Sequence, residues 1–246
     1  MHPLSSAGLT GILLVVGVAG TCHAQSTPMV LDPSFYSNAA ALSITNRRLA
    51  ERAVQRDGGS APHETEREAA TPASLDFVRD PAVTAAVRDA MLERTRRSNP
   101  AAAAEFDRST RESDYVSAFD DMVGEYGYRS TNVADVAAAQ LVVSWMIVNG
   151  TPEPSPAQFE LVRRQMERRL LDDARLARAE DAAKQAVADE MLFRSVMLAA
   201  ARTHLERNPD PTVSRAFAAS VRNMMREQAG LDVLGLALAR DGFAGL

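Results

Sequence analysis

Few side chains in this sequence have the types and spacing that chemistry needs. Beyond the first 24 residues histidine occurs twice, as His63 and His204, and the one cysteine is Cys22. Metal sites need clusters of His, Cys or carboxylates, and no His-Glu-x-x-His pair is present. We therefore expect no metal and no zinc chemistry. His204 falls in the last turn of a predicted helix, where a protonated imidazole complements the helix dipole. Carboxylates are more numerous. Asp120-Asp121 with Glu125, and Asp172-Asp173, could hold a cation or do acid–base work. Adjacent residues on a helix point in different directions, so these pairs read as solvated faces. Glu190 differs, because it lies between Ala186 and Phe193 on the apolar face of a predicted helix. A carboxylate there is either buried with a raised pKa or paired with an Arg, and the abundance of Arg favours pairing. Nucleotide signatures are absent: there is no Gly-x-Gly-x-x-Gly and no phosphate-cradling loop ending in Gly-Lys-Ser/Thr. The Gly-x-Ser-x-Gly elbow of many hydrolases is absent too. The expectation is a protein with no cofactor and no catalytic constellation.

The elements that would position these residues are all predicted helices. Four times a capping residue directly precedes Pro: Asp80-Pro81, Asn99-Pro100, Ser155-Pro156 and Asp210-Pro211. The first residue can accept a bond from an unpaired helix N–H. The Pro has no N–H to leave unpaired and a φ suited to the first turn. Ser155 also has Gln158 three residues on, a capping box. Apolar stripes at helical spacing agree: Val83, Val87 and Met91; Tyr115, Phe119, Met122 and Tyr126; Phe159, Val162, Met166 and Leu170; Phe193, Met197 and Ala201; Val213, Phe217, Val221 and Met224. No segment shows sustained strand alternation, and the tail "LDVLGLALARDGFAGL" is ambiguous.

The stretch "STNVADVAAAQLVVSWMIVNG" is apolar nearly all round. Its apolar part, residues 133–148, contains Asp135, Gln140 and Ser144. That is too short and too polar to span a bilayer, which takes about 20 apolar residues. Asn132 is a natural N-cap, Asp135 sits at the third helical position, and Asn149-Gly150 supplies a stop. A helix of this kind belongs at the centre of a bundle. Asp135 reads as a helix-start residue favoured by the dipole. Trp145, the only Trp, reads as a large core side chain whose N–H finds a partner. Asn132, Asp135, Trp145 and Glu190 are thus the candidate structural or polar positions of the core.

The N-terminus carries an address. "LTGILLVVGVAG" is a short uncharged apolar run, followed by "TCHAQ" with Cys22 and Ala24 suited to cleavage before Gln25. Residues 1–24 are expected to be a signal peptide, with lipidation of Cys22 ranked below simple cleavage. Residues 25–74 are expected to be helical in part, around 39–56, and then a flexible linker. The stretch 57–74 has almost no large apolar side chain to offset the entropy of ordering. Residues 75–246 form the expected domain, an all-α bundle of about five or six helices around the central apolar one. The net charge of −5 and the interspersed Arg and acidic residues argue against a nucleic-acid partner.

Five stretches follow in order: "DPAVTAAVRDAM", "NPAAAAEF", "YGYRSTNVADVAAAQLVVSWMIVNG", "VRRQMERRLL" and "DAAKQAVADEMLFRSVMLAA". Together they resemble an uncharacterised family of exported, helical bacterial proteins, a domain of unknown function. The resemblance runs from about Asp80 to Phe243. It implies export, to the periplasm or beyond, and an all-α fold, and it implies no activity.

These readings point to a non-catalytic interaction or structural protein of the cell envelope, with an unknown protein partner. The alternative is a binder of a small apolar ligand between helices. Met122, Met146, Met166, Met191, Met197, Met224 and Met225 would give such a pocket adaptable walls. Ordinary core packing is the simpler use of the same residues.

Overall fold

The computed structural model describes residues 73–246. The expected signal peptide and N-terminal helix, and nearly all of the expected linker, lie outside the described residues. Eight α-helices occur among those described: α1 (Pro81–Ser98), α2 (Pro100–Glu112), α3 (Tyr115–Val123), α4 (Val133–Asn149), α5 (Pro156–Leu171), α6 (Ala174–Ala177), α7 (Asp181–Arg207) and α8 (Pro211–Ala229). A 3-10 turn, Gly124–Tyr126, extends α3. The ambiguous tail forms a small antiparallel hairpin, β1 (Leu238–Ala239) with β2 (Gly242–Phe243). The fold is all-α. The eight compare with an expected five or six. Helix α2 begins at the expected Asn99-Pro100 start, but its buried face is only Ala102, Ala103 and Phe106, too narrow to show as a stripe. Helix α6, which no start signal or stripe announced, is a single turn capped by Asp173.

All four cap-Pro pairs start helices. Asp80, Asn99 and Asp210 each accept a first-turn N–H through the side chain. At Ser155 the box closes through Gln158, whose Oε1 accepts from the Ser155 N–H and hydroxyl. Gly150 and Gly230 end α4 and α8 at φ 61° and 65°, a left-handed conformation that costs a residue with a Cβ.

Helix α4 is the centre. Every residue from 133 to 146 is buried. It packs most extensively on α7, and α5 and α8 flank it. Helices α1 and α3 lie on α7 instead. The 27 residues of α7 span about 40 Å at 1.5 Å per residue, long enough to meet α1, α3 and α4. Phe106, Phe119, Leu192, Met197, Phe217, Met224 and Phe243 are almost wholly enclosed. Burying each stabilises the fold by about 1.5–3 kcal/mol.

Two extended segments lock onto this frame. Residues before α1 pair with the entry to α4: Val133 N–H donates to Leu75 O and Phe77 N–H to Thr131 O. That pairing brings Arg79 to the helix bundle. At the other end, Asn149 holds the chain leading to the hairpin, donating to Val233 O and accepting from Gly235 N–H. Gln165 of α5 grips Phe243 through its backbone N–H and C=O, both at 2.8 Å.

Candidate functional site

Asn132 and Asp135 stand together at the start of α4. Asn132 Oδ1 accepts from the N–H groups of Ala134 and Asp135, as expected of a cap, and its Nδ2 donates to Asp76. The Asp135 side chain does more than face the dipole. It is 1% exposed. Its Oδ2 accepts from the Arg129 backbone N–H at 3.1 Å and lies 3.5 Å from Arg129 Nε. Its Oδ1 has no hydrogen-bond partner; Arg163 Nη1 of α5 stands 3.9 Å away. Burial raises the pKa of this carboxyl above its ordinary 3.8, outweighing the Arg129 N–H and the two guanidinium groups. Tyr128, beside it, is also pushed above the phenol range, by burial first and then by the Asp135 charge. Its hydroxyl donates to Phe159 O. Glu160, which binds Arg163 and Arg164 from a more open position, is held at about 2, chiefly by its bond to Arg163.

Trp145 lies ten residues further along α4, about 15 Å from Asp135 along the axis. Its Nε1–H donates to Leu236 O at 2.8 Å, and its ring meets Phe243 edge-on with centroids 5.3 Å apart. It anchors the C-terminal segment. No titratable group is among these partners.

Glu190 is buried between α7 and α1. Its Oε1 accepts from Arg94 Nη2 at 2.6 Å and from Arg194 Nη2 at 2.5 Å. The expected pairing with Arg is thus present, and with two. Burial pulls the pKa of both guanidinium groups below the ordinary arginine value, against the opposing attraction of Glu190. Glu190 and Asp135 use different arginines, so the structure does not bring these two carboxylates into one site.

Sequence reasoning missed a third cluster. Asp189, fully buried, receives Arg79 Nη1 at 2.5 Å on one oxygen and the Thr84 hydroxyl at 2.7 Å on the other. Gln185, also fully buried, donates to Asp189, Thr84 and Asp80 O, and accepts from the Asp80 N–H. Arg79 Nη2 reaches Ser130 O, and Ser130 is held in turn by Asp120 through its N–H and hydroxyl. The i, i+4 spacing of Gln185 and Asp189, beside Ala186 and Glu190, was the available signal. It marks a polar row on a face that otherwise reads as core.

The remaining candidates have simpler places. Asp121, Glu125, Asp172, Asp173 and His204 are exposed. Met146, Met197, Met224 and Met225 are buried within one continuous apolar cluster, with Met122, Met166 and Met191 packed against it. Among the described residues no three His, Cys, Asp or Glu side chains are grouped to hold a metal ion. Among the same residues no helix is long and apolar enough to cross a membrane.

Fold and site together define an all-α bundle whose buried charges tie one helix to another. The chain belongs to a family of unknown function, DUF6683, which matches residues 4–244. No curated protein and no solved structure matches it.

Proposed function

We propose that this is an exported, non-catalytic protein of the cell envelope with an interaction or structural role. The observation that carries this reading is how its buried carboxylates are used. Among the described residues three carboxylates are buried, Asp135, Asp189 and Glu190, and two of them are bonded to guanidinium groups: Asp189 to Arg79, ahead of α1, and Glu190 to Arg94 of α1 and Arg194 of α7. Charges paired this way tie one element of the fold to another. Export is supported by the apolar run at residues 9–20 and the small residues Cys22 and Ala24.

Two measurements test the proposal. N-terminal sequencing of the protein from the envelope fraction should begin at Gln25; a retained Met1, or a lipid on Cys22, would overturn that part. In a strain lacking the gene, Asp189→Asn and Glu190→Gln should restore function in proportion to the folded protein that accumulates. A variant that accumulates normally yet restores nothing would instead assign its carboxylate to catalysis.

A further inference from the structure

The chain beyond α8 is clasped to the bundle more than it is packed into it. Of residues 233–246, only Val233, Gly242 and Phe243 are buried, and Leu234 is 47% exposed. Side chains of α4 and α5 hold this stretch by its backbone. Asn149 Nδ2 donates to Val233 O at 2.9 Å, and its Oδ1 accepts from the Gly235 N–H at 3.0 Å. Trp145 Nε1–H donates to Leu236 O. Gln165 Nε2 donates to Phe243 O, and its Oε1 accepts from the Phe243 N–H. Val233 and Phe243 are the buried anchors, and the Phe243 ring meets Trp145 edge-on. Just before Val233 the chain is tied to α8, where Arg222 holds Asp232 by two bonds.

Ordering an irregular stretch costs entropy at every residue. Here two buried anchors and the clasping bonds offset that cost. A segment with so little buried apolar surface opens at a lower free energy than the helices beneath it. The clasp also has the form of extended-peptide recognition, in which fixed groups take the main-chain hydrogen bonds and pockets take alternate side chains. None of the three clasping side chains is charged. The seat is selective at one point. At Gly242 the φ is 111°, and a Cβ would lie 2.5 Å from Gln165 Oε1. Gln165 therefore takes both main-chain bonds of a residue that follows glycine, while Trp145 meets the ring of that residue. The dipeptide read in this way is Gly-Phe.

We infer that residues 233–246 are a releasable strap, and that their seat on α4 and α5 accepts in exchange an extended segment of a partner protein carrying Gly-Phe. The strap leaves as a unit, pivoting beyond Asp232, while the helices stay folded. Its departure bares the Trp145 ring and frees Asn149 and Gln165 to bond another main chain. The inference deepens the interaction role proposed above. It stands on the clasp and not on export, so either can fail while the other holds.

The test uses the full chain and a fluorescein-labelled peptide of the sequence VLGLALARDGFAGL, residues 233–246. Wild type should bind it weakly, because its own strap competes at high effective concentration. Gly242→Ala strains the strap off and leaves the seat intact, so this protein should bind the peptide about tenfold more tightly. The same peptide with Gly242→Ala should bind neither protein. Equal binding by the two proteins, or equal binding of the two peptides, would overturn the inference. A dimer that the peptide dissociates would also overturn it, by assigning the seat to the strap of a second copy. Hydrogen exchange supplies a reading that needs no binding. In wild type the Gly235 N–H should exchange faster than the buried N–H groups of α4. Gln165→Ala, which loses its bonds to Phe243 and none to Gly235, should speed that exchange about tenfold if the strap opens as a unit. Exchange of Gly235 only at the rate of α4 would show that the strap opens solely when the domain unfolds, and would overturn the inference even if Gly242→Ala fails to fold.

Discussion

Arg79 and Asp189 are 110 positions apart in the chain and meet at 2.5 Å. The pair fastens the segment before α1 to the middle of α7, and Thr84 and Gln185 complete the bonding of the carboxylate. Asp189 has no exposed surface. Removing Arg79 would leave its charge enclosed and lacking its counter-ion. Arg79→Ala should therefore destabilise the domain by about 3–5 kcal/mol in urea unfolding. A loss below about 1 kcal/mol would show that Thr84 and Gln185 suffice.

Asp135 makes a prediction about pH. Its folded pKa is raised above 3.8, so the folded state binds this proton more readily than the unfolded chain. That contribution is complete below 3.8 and is lost as pH rises through the raised value. Glu160 and Asp232, both held at about 2, act with the opposite sign: their contributions are present at neutral pH and lost as it falls. Asp135→Asn leaves those groups in place. The stability of wild type minus that of the variant should therefore fall as pH rises from about 4. A difference independent of pH would refute the raised value.

The same residue distinguishes a cap from a tie. Asn132 already serves the first-turn N–H groups of α4. Asp135→Ala would strip the Arg129 N–H of its acceptor and remove the anion beside Arg129 and Arg163. The expected loss is about 2–3 kcal/mol. A loss of only about 1 kcal/mol would return Asp135 to the role of a helix-start residue.

Trp145 is the only Trp, so fluorescence reports on it alone. Its emission should be blue-shifted and shielded from iodide in the folded protein. Trp145→Ala should cost about 3–5 kcal/mol, and Trp145→Phe, which keeps a ring but strands the Leu236 carbonyl, about 1–3 kcal/mol. Free quenching by iodide, with an unchanged melting temperature in the Ala variant, would place the ring on the surface.

Gly242 tests the hairpin. A Cβ there would sit 2.5 Å from Gln165 Oε1, at a φ of 111°. Gln165 could move only by giving up its two bonds to Phe243. Gly242→Ala should lose about 2–4 kcal/mol, combining backbone strain with those bonds. Gly245→Ala, at φ 83° with open space around it, should show the strain alone, about 1–2 kcal/mol. Equal losses would mean that Gln165 contributes nothing.

The sequence by itself determined the helices and the central one among them. A cap and the N–H it serves lie within three residues, so Asp80, Asn99, Ser155 and Asp210 could be read without knowing the fold. The burial of α4 was equally legible, because a helix apolar on every side has no face to offer water. The need of Glu190 for an arginine could also be read, from a carboxylate on an apolar stripe. Which arginine could not. Arg94 lies 96 positions away, and many other arginines carry the same charge. Asp189 was passed over because a polar residue on a long helix looks solvated until Arg79 is brought to it. Asp135 looked like a helix start, since Arg163 and the turn at Arg129 reach it only once α5 has folded back on α4. Local hydrogen bonds are dictated by neighbours in the chain. Charge pairing across helices is dictated by which faces the core brings together, and only the tertiary structure decides that.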